Sequence, residues 1–312
     1  MTVENDVTLH LWLHKNIERE GEMGEMRYEA PSTLKAAVAL LAESKGPARV
    51  LAGGTDLLIQ MRSKRIEPEL LVDIKNIAEM RAIAAEGGRF RFGAAVSGME
   101  LLEHEAFANA WPGVIDGVKL IGSVQVRGRA TVGGNLCNAS PAADSVPPLI
   151  AAGAVVNIVG PSGRRESRVE DFVTGPGKTT LAKGEIVVSF LLPERPAHSG
   201  DAYLRFIPRT EMDIAVVGAG VNLTLDGKGV CTVARVCLGA VAERALLVPE
   251  AAAALIGTKV DAGALKRLAA AASAACRPID DKRGTKEFRI KVAGVMARRA
   301  AEIALARAQG KR

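Results

Sequence analysis

The sequence predicts an α+β fold in two domains, and three observations carry that prediction. The chain has 312 residues, 48% of them hydrophobic, which is enough to bury a substantial core and more length than a single domain commonly uses. Short apolar runs of alternating pattern recur from residue 48 onward, separated by Gly, Pro and Ser turns. In the last third three strand-like runs come first and three helical runs follow, the order of an α+β unit rather than a doubly wound sheet.

The elements can be justified in turn. The first 25 residues, "MTVENDVTLHLWLHKNIEREGEMGE", are polar without a strong period, and read either as a disordered extension or as an over-long start; the first domain opens at Met26. Ser32 can cap a helix whose Leu34, Val38 and Leu41 share one face. The strand "RVLAG" breaks into Gly53 and Gly54, and Thr55 and Asp56 lead into "LLIQMR". Strands "LLVDI" and "RFRFGAAV" come next, then helices starting near Ser97 and Ala110. From Ala154 to Pro193 the pattern is β, with "AVVNIVG", "RRESRV" and "EIVVSFLLP". The polar, turn-rich "PERPAHSGD" marks a boundary, so the expected domains are 26–197 and 198–312. Beyond it lie strands "AYLRFI", "DIAVVGAGVNLTL" and "CTVARVCLGAV", then helices over about 249–256, 262–276 and 285–308.

Composition excludes several functions. Aromatic residues make up 4%, which argues against a base-stacking nucleic-acid binder. The net charge of +6 comes from 41 basic and 35 acidic side chains interspersed along the chain, a solvated surface with a mild preference for anionic ligands. Cys137, Cys231, Cys237 and Cys276 show neither C-x-x-C spacing nor paired histidines, so no metal or iron-sulfur cluster is expected on this chain alone. No secretory leader and no apolar run of about 18 residues is present, so the expectation is a cytoplasmic protein without an integral membrane segment. His104 and His198 are isolated and read as surface residues rather than catalytic bases.

Two motifs attract attention and mislead. "TGPGKTTL" carries the G-K-T end of a phosphate loop, but Phe172 stands where that loop needs its first glycine, so a surface turn is expected. "VGAGVNL" offers Gly218 and Gly220 of a dinucleotide fingerprint, yet Leu223 replaces the third glycine and the pattern continues as a strand.

"LAGGTDL" and "TVGGNL" are more informative together than apart. Each is a glycine pair followed by hydrogen-bonding side chains where an extended segment turns toward a helix, and paired glycines let main-chain N–H groups converge on an anion such as a pyrophosphate. Thr55 and Thr131 can add hydroxyls and Asn135 an amide, while Asp144 would suit a ribose or ribityl hydroxyl.

The stretch "RGRATVGGNLCNASPAADSVPPLIAAGA" resembles the FAD-binding signature of the flavin subunits of molybdenum hydroxylases, the family of carbon monoxide dehydrogenase medium subunits and the xanthine dehydrogenase flavin domain. "AGGTDLL", "RFIPRTEMDIAVV" and "RGTKEFRIKVAGVMARRA" match further family motifs in the expected order, so the resemblance spans nearly the whole chain from Met26. It implies FAD as cofactor and an FAD-binding domain of the vanillyl-alcohol-oxidase (PCMH) type in two subdomains. A smaller domain, similar to the CO dehydrogenase flavoprotein C-terminal domain, would follow with a three-stranded antiparallel sheet and helices. Carried over by position, Val50, Leu51, Ala52, Gly53, Gly54, Thr55, Asp56 and Leu57 would form the first cofactor loop, and Thr131, Val132, Gly133, Gly134 and Asn135 the second. Asp144 would bind a cofactor hydroxyl, Ile121 and Val187 would lie against the cofactor, and Arg205 stands where xanthine dehydrogenases carry a lysine.

The function implied is electron transfer without a catalytic side chain. A large partner subunit would carry the molybdenum cofactor and hydroxylate the substrate, and a small one the iron-sulfur clusters, with a dimer of heterotrimers as the expected assembly. Cys137 reads as a packing residue, and the cysteine-bearing loop of hydroxybenzoyl-CoA reductases is missing. The rival readings are a self-contained reductase of the enolpyruvyl reductase type and a nucleotide-binding module without turnover.

Overall fold

The structure, a computed structural model of the chain, describes residues 26–311; the expectation for residues 1–25 lies outside them. Three short strands, β1 (Arg27–Glu29), β2 (Ala48–Leu51) and β3 (Leu70–Asp73), form a parallel sheet in the order β1-β3-β2. Helices Leu34–Glu43 and Leu57–Arg62 make the crossovers that parallel pairing requires. The first is capped by Thr33, whose hydroxyl accepts from the Ala36 amide, and not by Ser32 as the sequence suggests.

A second, antiparallel sheet orders five strands as β4-β5-β10-β6-β7. These are β4 (Ile83–Glu86), β5 (Arg89–Gly93), β6 (Val155–Gly160), β7 (Gly163–Arg168) and β10 (Ile186–Leu192). The central strand β10 is apolar on both faces apart from Ser189 and almost wholly buried, as its "IVVSFLL" run demands. Phe92 and Phe190 stack across β5 and β10 with ring centroids 4.8 Å apart. β8 (Val173–Gly175) and β9 (Lys178–Thr179) form a two-stranded hairpin holding the false phosphate loop, the surface turn expected of it. Between β5 and β6 runs a series of short helices. One of them, Gly98–Glu103, starts with a complete Ser97/Glu100 capping box.

After the turn at 193–198, β11 (Ser199–Phe206), β12 (Val217–Leu225) and β13 (Cys231–Gly239) build an antiparallel sheet around a second core. The expected three strands are joined by a fourth, β14 (Leu246–Leu247), too short to carry an alternating signal. Helix Lys286–Ala308 covers the sheet, and helix Ala262–Ala275 packs against that helix. The glycines of "VGAGVNL" lie inside β12, where a Cβ on Gly220 would come within 2.9 Å of the Pro147 backbone; they serve close packing and not a nucleotide.

The two halves meet along a seam of charged pairs. Asp116 pairs with Arg307 at 2.6 Å, Arg195 with Asp201 at 2.7 Å, Arg235 with Glu170 at 2.7 Å, and Arg205 with Asp144 at 2.5 Å. Arg195 also lies 4.9 Å from the Trp111 ring, so the seam combines ion pairing with aromatic packing.

Candidate functional site

The first glycine turn leaves β2. Val50 and Leu51 end the strand, residues 52–56 make the connection and Leu57 opens the next helix. The turn is half-buried except at Asp56, which is exposed. Its two glycines answer different needs. Gly54 has φ of +77°, a conformation that side chains avoid. Gly53 is pressed against the second turn, for an added Cβ would lie 2.1 Å from the carbonyl oxygen of Arg129. A third contact was not foreseen: the ammonium of Lys75 donates to the Ala52 carbonyl at 3.3 Å and to Asp73 at 2.6 Å, and the Tyr28 hydroxyl donates to the same Asp73 oxygen. "VDIK" gives no hint of this in one dimension, because parallel pairing of β2 and β3 creates the contact.

The second glycine pair is not a loop. Thr131 caps a short helix, Val132–Cys137, and its Oγ accepts from the Gly134 amide at 2.9 Å, so Gly133 and Gly134 occupy the first helical turn. Gly133 is needed for packing, since a Cβ there would meet the Ala94 carbonyl at 2.4 Å. Gly134 is different: only Thr131 Oγ, at 3.1 Å, lies within reach of a Cβ, and its face is otherwise open. Asn135 turns its carboxamide oxygen inward to accept from the Ser145 hydroxyl at 2.7 Å, which leaves its NH₂ as the outward group. Gln60 bonds to Asn138 at 3.0 Å, so the two turns are joined at this contact as well as at Gly53.

The remaining expected residues are distributed unevenly. Ile121 is half-buried, and its carbonyl accepts from Arg127 at 3.3 Å, two residues before Arg129. Val187 is 3% exposed, with its side chain in the core beside β6, so only its assignment by resemblance links it to a cofactor. Asp144 differs most from expectation. It is buried, and both carboxylate oxygens are already engaged by strand β11: Oδ1 by the Tyr203 hydroxyl at 2.8 Å, Oδ2 by Arg205 at 2.5 Å. Residues 203 and 205 share one face of the strand, which is why one carboxylate collects both. Burial pushes the Asp144 carboxyl up to about 6, against the pull of the Arg205 charge and the two hydrogen bonds. Tyr203 went unrecognised in the sequence, where a tyrosine in an apolar strand reads as core.

Cys137 is exposed as a residue, yet burial of its thiol pushes it up to about 12, as suits the packing role expected of it; Cys231, Cys237 and Cys276 are buried throughout. His104 caps a helix by accepting from the Phe107 amide, and His198 is an exposed turn residue. Among the described residues no group of three metal-ligating side chains occurs, and no helix is long and apolar enough to cross a membrane.

These features suit a dinucleotide. The open face at Gly134 gives access, and the outward amide of Asn135 and the buried Nε of Arg205, which has no partner among the described residues, are donors for an anionic, oxygen-rich ligand. Fold and site together define an α+β protein with two glycine turns locked to each other and hydrogen-bond donors beside them, an arrangement suited to a cofactor.

Comparison with known proteins agrees. Residues 24–195 match the family model described as the FAD binding domain in molybdopterin dehydrogenase, and residues 202–304 match the CO dehydrogenase flavoprotein C-terminal domain. The chain is 36% identical to the carbon monoxide dehydrogenase medium chain of Afipia carboxidovorans, over 92% of this chain and 99% of the relative. It is 33% identical to a putative xanthine dehydrogenase FAD-binding subunit of Escherichia coli, over 91% and 97% respectively. The reconstituted CO dehydrogenase from Oligotropha carboxidovorans contains a chain that superposes with a TM-score of 0.87 at 35% identity, covering 92% of this chain and all of that one. The protein belongs to the FAD-binding flavoprotein subunits of the molybdenum hydroxylase family, as an oxidoreductase subunit whose cofactor is FAD.

Proposed function

We propose that this chain is the electron-transfer subunit of a cytoplasmic, heteromeric molybdenum hydroxylase, working beside a large subunit with the molybdenum cofactor and a small subunit with iron-sulfur clusters in a dimer of heterotrimers. The two electrons of each substrate oxidation arrive from the small subunit and leave to NAD, a quinone, oxygen or another acceptor. We place the boundary between its domains at residues 197 and 198, in the turn before β11.

The observation that carries the reading is the composition of the site: main-chain donors from two interlocked glycine turns, plus one buried carboxylate–arginine pair. When bound, FAD supplies the redox chemistry, since its ring accepts electrons singly or in pairs. The protein's residues bind and place it. Residues 53–55 and Gly133 would hold the pyrophosphate with main-chain N–H groups, the open face of Gly134 would let it approach, Thr55 and the Asn135 carboxamide would add donors, and Arg205 would present a fixed positive charge. Asp144 would keep that charge in place and Ile121 would lie against the cofactor, which Val187, its side chain in the core, would meet only through its main chain. No step asks a side chain for a proton.

The test is reconstitution. The purified chain should show flavin absorbance and remain oxidised with aldehydes, purines or N-heterocycles until both partner subunits are added, after which substrate should bleach the flavin. Bleaching by the isolated chain would make it a self-contained flavoenzyme, and a colourless chain indifferent to added FAD would make it a binding module without turnover.

A further inference from the structure

We propose that Tyr203 is a positioning residue of the flavin site: its hydroxyl fixes the plane of the Asp144 carboxylate, and through it the guanidinium of Arg205. The inference rests on the FAD reading above.

The geometry is that of a built network. Tyr203 is 2% exposed, and its hydroxyl finds a partner in Asp144, as a buried phenol must. The neighbouring strand leaves room for it: a Cβ on Gly218 would lie 2.3 Å from the phenol oxygen. The Tyr203 main chain is pinned as well, donating its N–H to Asp116 at 3.3 Å. Asp144 has no other side-chain partner than Tyr203 and Arg205 among the described residues. A carboxylate held by arginine alone is free to turn about its last torsion, which is broad, whereas two donors on opposite oxygens lock it. Arg205 is 5% exposed with an unpartnered Nε, so the direction in which it offers that donor follows the plane of Asp144.

The same network makes the site sensitive to pH. Facing the carboxylate from β11 are Tyr203 and Arg205. Asp116, on helix Pro112–Val118 and paired with Arg307, takes the Tyr203 amide, and the Cys237 thiol on β13 faces the phenol. Behind Arg205 lies Asp213, whose carbonyl accepts from it and whose carboxylate meets Arg209 and Arg283. The helix that follows Asp144, Val146–Ala152, carries no titratable side chain. Burial lifts Asp144 to about 6, and the phenol opposes that lift. Removing the phenol raises the carboxyl further and releases Arg205 at a higher pH.

The experiment measures FAD affinity of the full chain by flavin fluorescence across the range from weakly acidic to weakly basic. Wild-type affinity should fall as pH drops through about 6. Tyr203→Phe should move that midpoint upward by about one unit, and bind FAD about tenfold more weakly between the two midpoints. Asp144→Asn should abolish the midpoint. If Tyr203→Phe does not fold, Gly218→Ala serves instead, because its Cβ displaces the phenol without deleting it, and the same upward shift is expected. An unmoved midpoint, or a loss of affinity that is uniform in pH and tracks melting temperature, gives Tyr203 a merely structural role and overturns the inference. A wild-type chain with no FAD affinity at any pH overturns the FAD reading and this inference with it.

Discussion

Gly53→Ala and Gly134→Val should fail in different ways, although both glycines belong to glycine turns of similar sequence that are proposed to hold the cofactor. At Gly53 the new Cβ would stand 2.1 Å from the Arg129 carbonyl oxygen, 2.8 Å from its carbon and 2.9 Å from the Ala130 Cα, all of them backbone atoms that cannot rotate away. Ordinary contacts of this kind begin above about 3 Å, so the two turns must part by about 1 Å. Overpacking on that scale costs about 1–3 kcal/mol of stability. It also lengthens main-chain hydrogen bonds to a shared ligand beyond their useful range, so FAD is lost along with stability. At Gly134 the Cβ meets only Thr131 Oγ, at 3.1 Å. The valine methyls extend into the open face, and the folded chain loses roughly 0.5–1 kcal/mol at most, from crowding of the cap and the modest helix propensity of valine. The ligand loses more. Blocking one or two N–H contacts to a phosphate, each worth about 1.5–3 kcal/mol, weakens FAD at least about tenfold. The assay pairs flavin content after gel filtration with a thermal melt. Gly53→Ala should lower both, Gly134→Val the flavin content alone. Stoichiometric flavin in Gly134→Val would refute the role given to its open face, and wild-type values for Gly53→Ala would refute the contact between the turns.

Asp144→Ala should destabilise the fold by about 3–5 kcal/mol in a denaturant titration, because it strands the Arg205 charge in a buried site, whereas an exposed residue would cost a few tenths. The pH dependence has a definite sign: the folded-state value of about 6 exceeds the ordinary 3.8, so the folded chain holds this proton more tightly. Stability from this group therefore grows as pH falls from 6 toward 3.8, by about 3 kcal/mol at most, and Asp144→Asn should flatten that part of the melting profile. Lys75→Met should weaken FAD severalfold with a small loss of stability, since it frees the Ala52 carbonyl and removes one of the two side-chain donors on Asp73; unchanged affinity would detach Lys75 from the first turn. The isolated chain should contain flavin but no molybdenum or iron by metal analysis, and metal retained in stoichiometric amount would contradict the division of labour proposed here.

Much of the architecture is local and therefore legible in one dimension. Alternation marks β5 and the long strands β11 to β13, an apolar run broken only by Ser189 marks the central β10, and hydroxyl caps mark several helices, because each depends on residues within a few positions of one another. The glycine pairs point to the ligand site for the same reason. What escapes is through-space. β4 has the sequence "IAAE" and exists only because β5 pairs with it, and β14 is two residues long. Thr131 makes the second turn helical, which the glycines next to it disguise as loop. Sequence alone treats Gly53, Gly54, Gly133 and Gly134 alike; the tertiary structure separates them into two that pack backbone on backbone, one that bends the chain, and one that leaves a face open. Asp144 shows the limit most clearly. Its place in a signature singles it out as a candidate, but its partners come from a strand about sixty residues later, and the energetics of a buried carboxylate belong to those partners and to the burial that only the folded chain imposes.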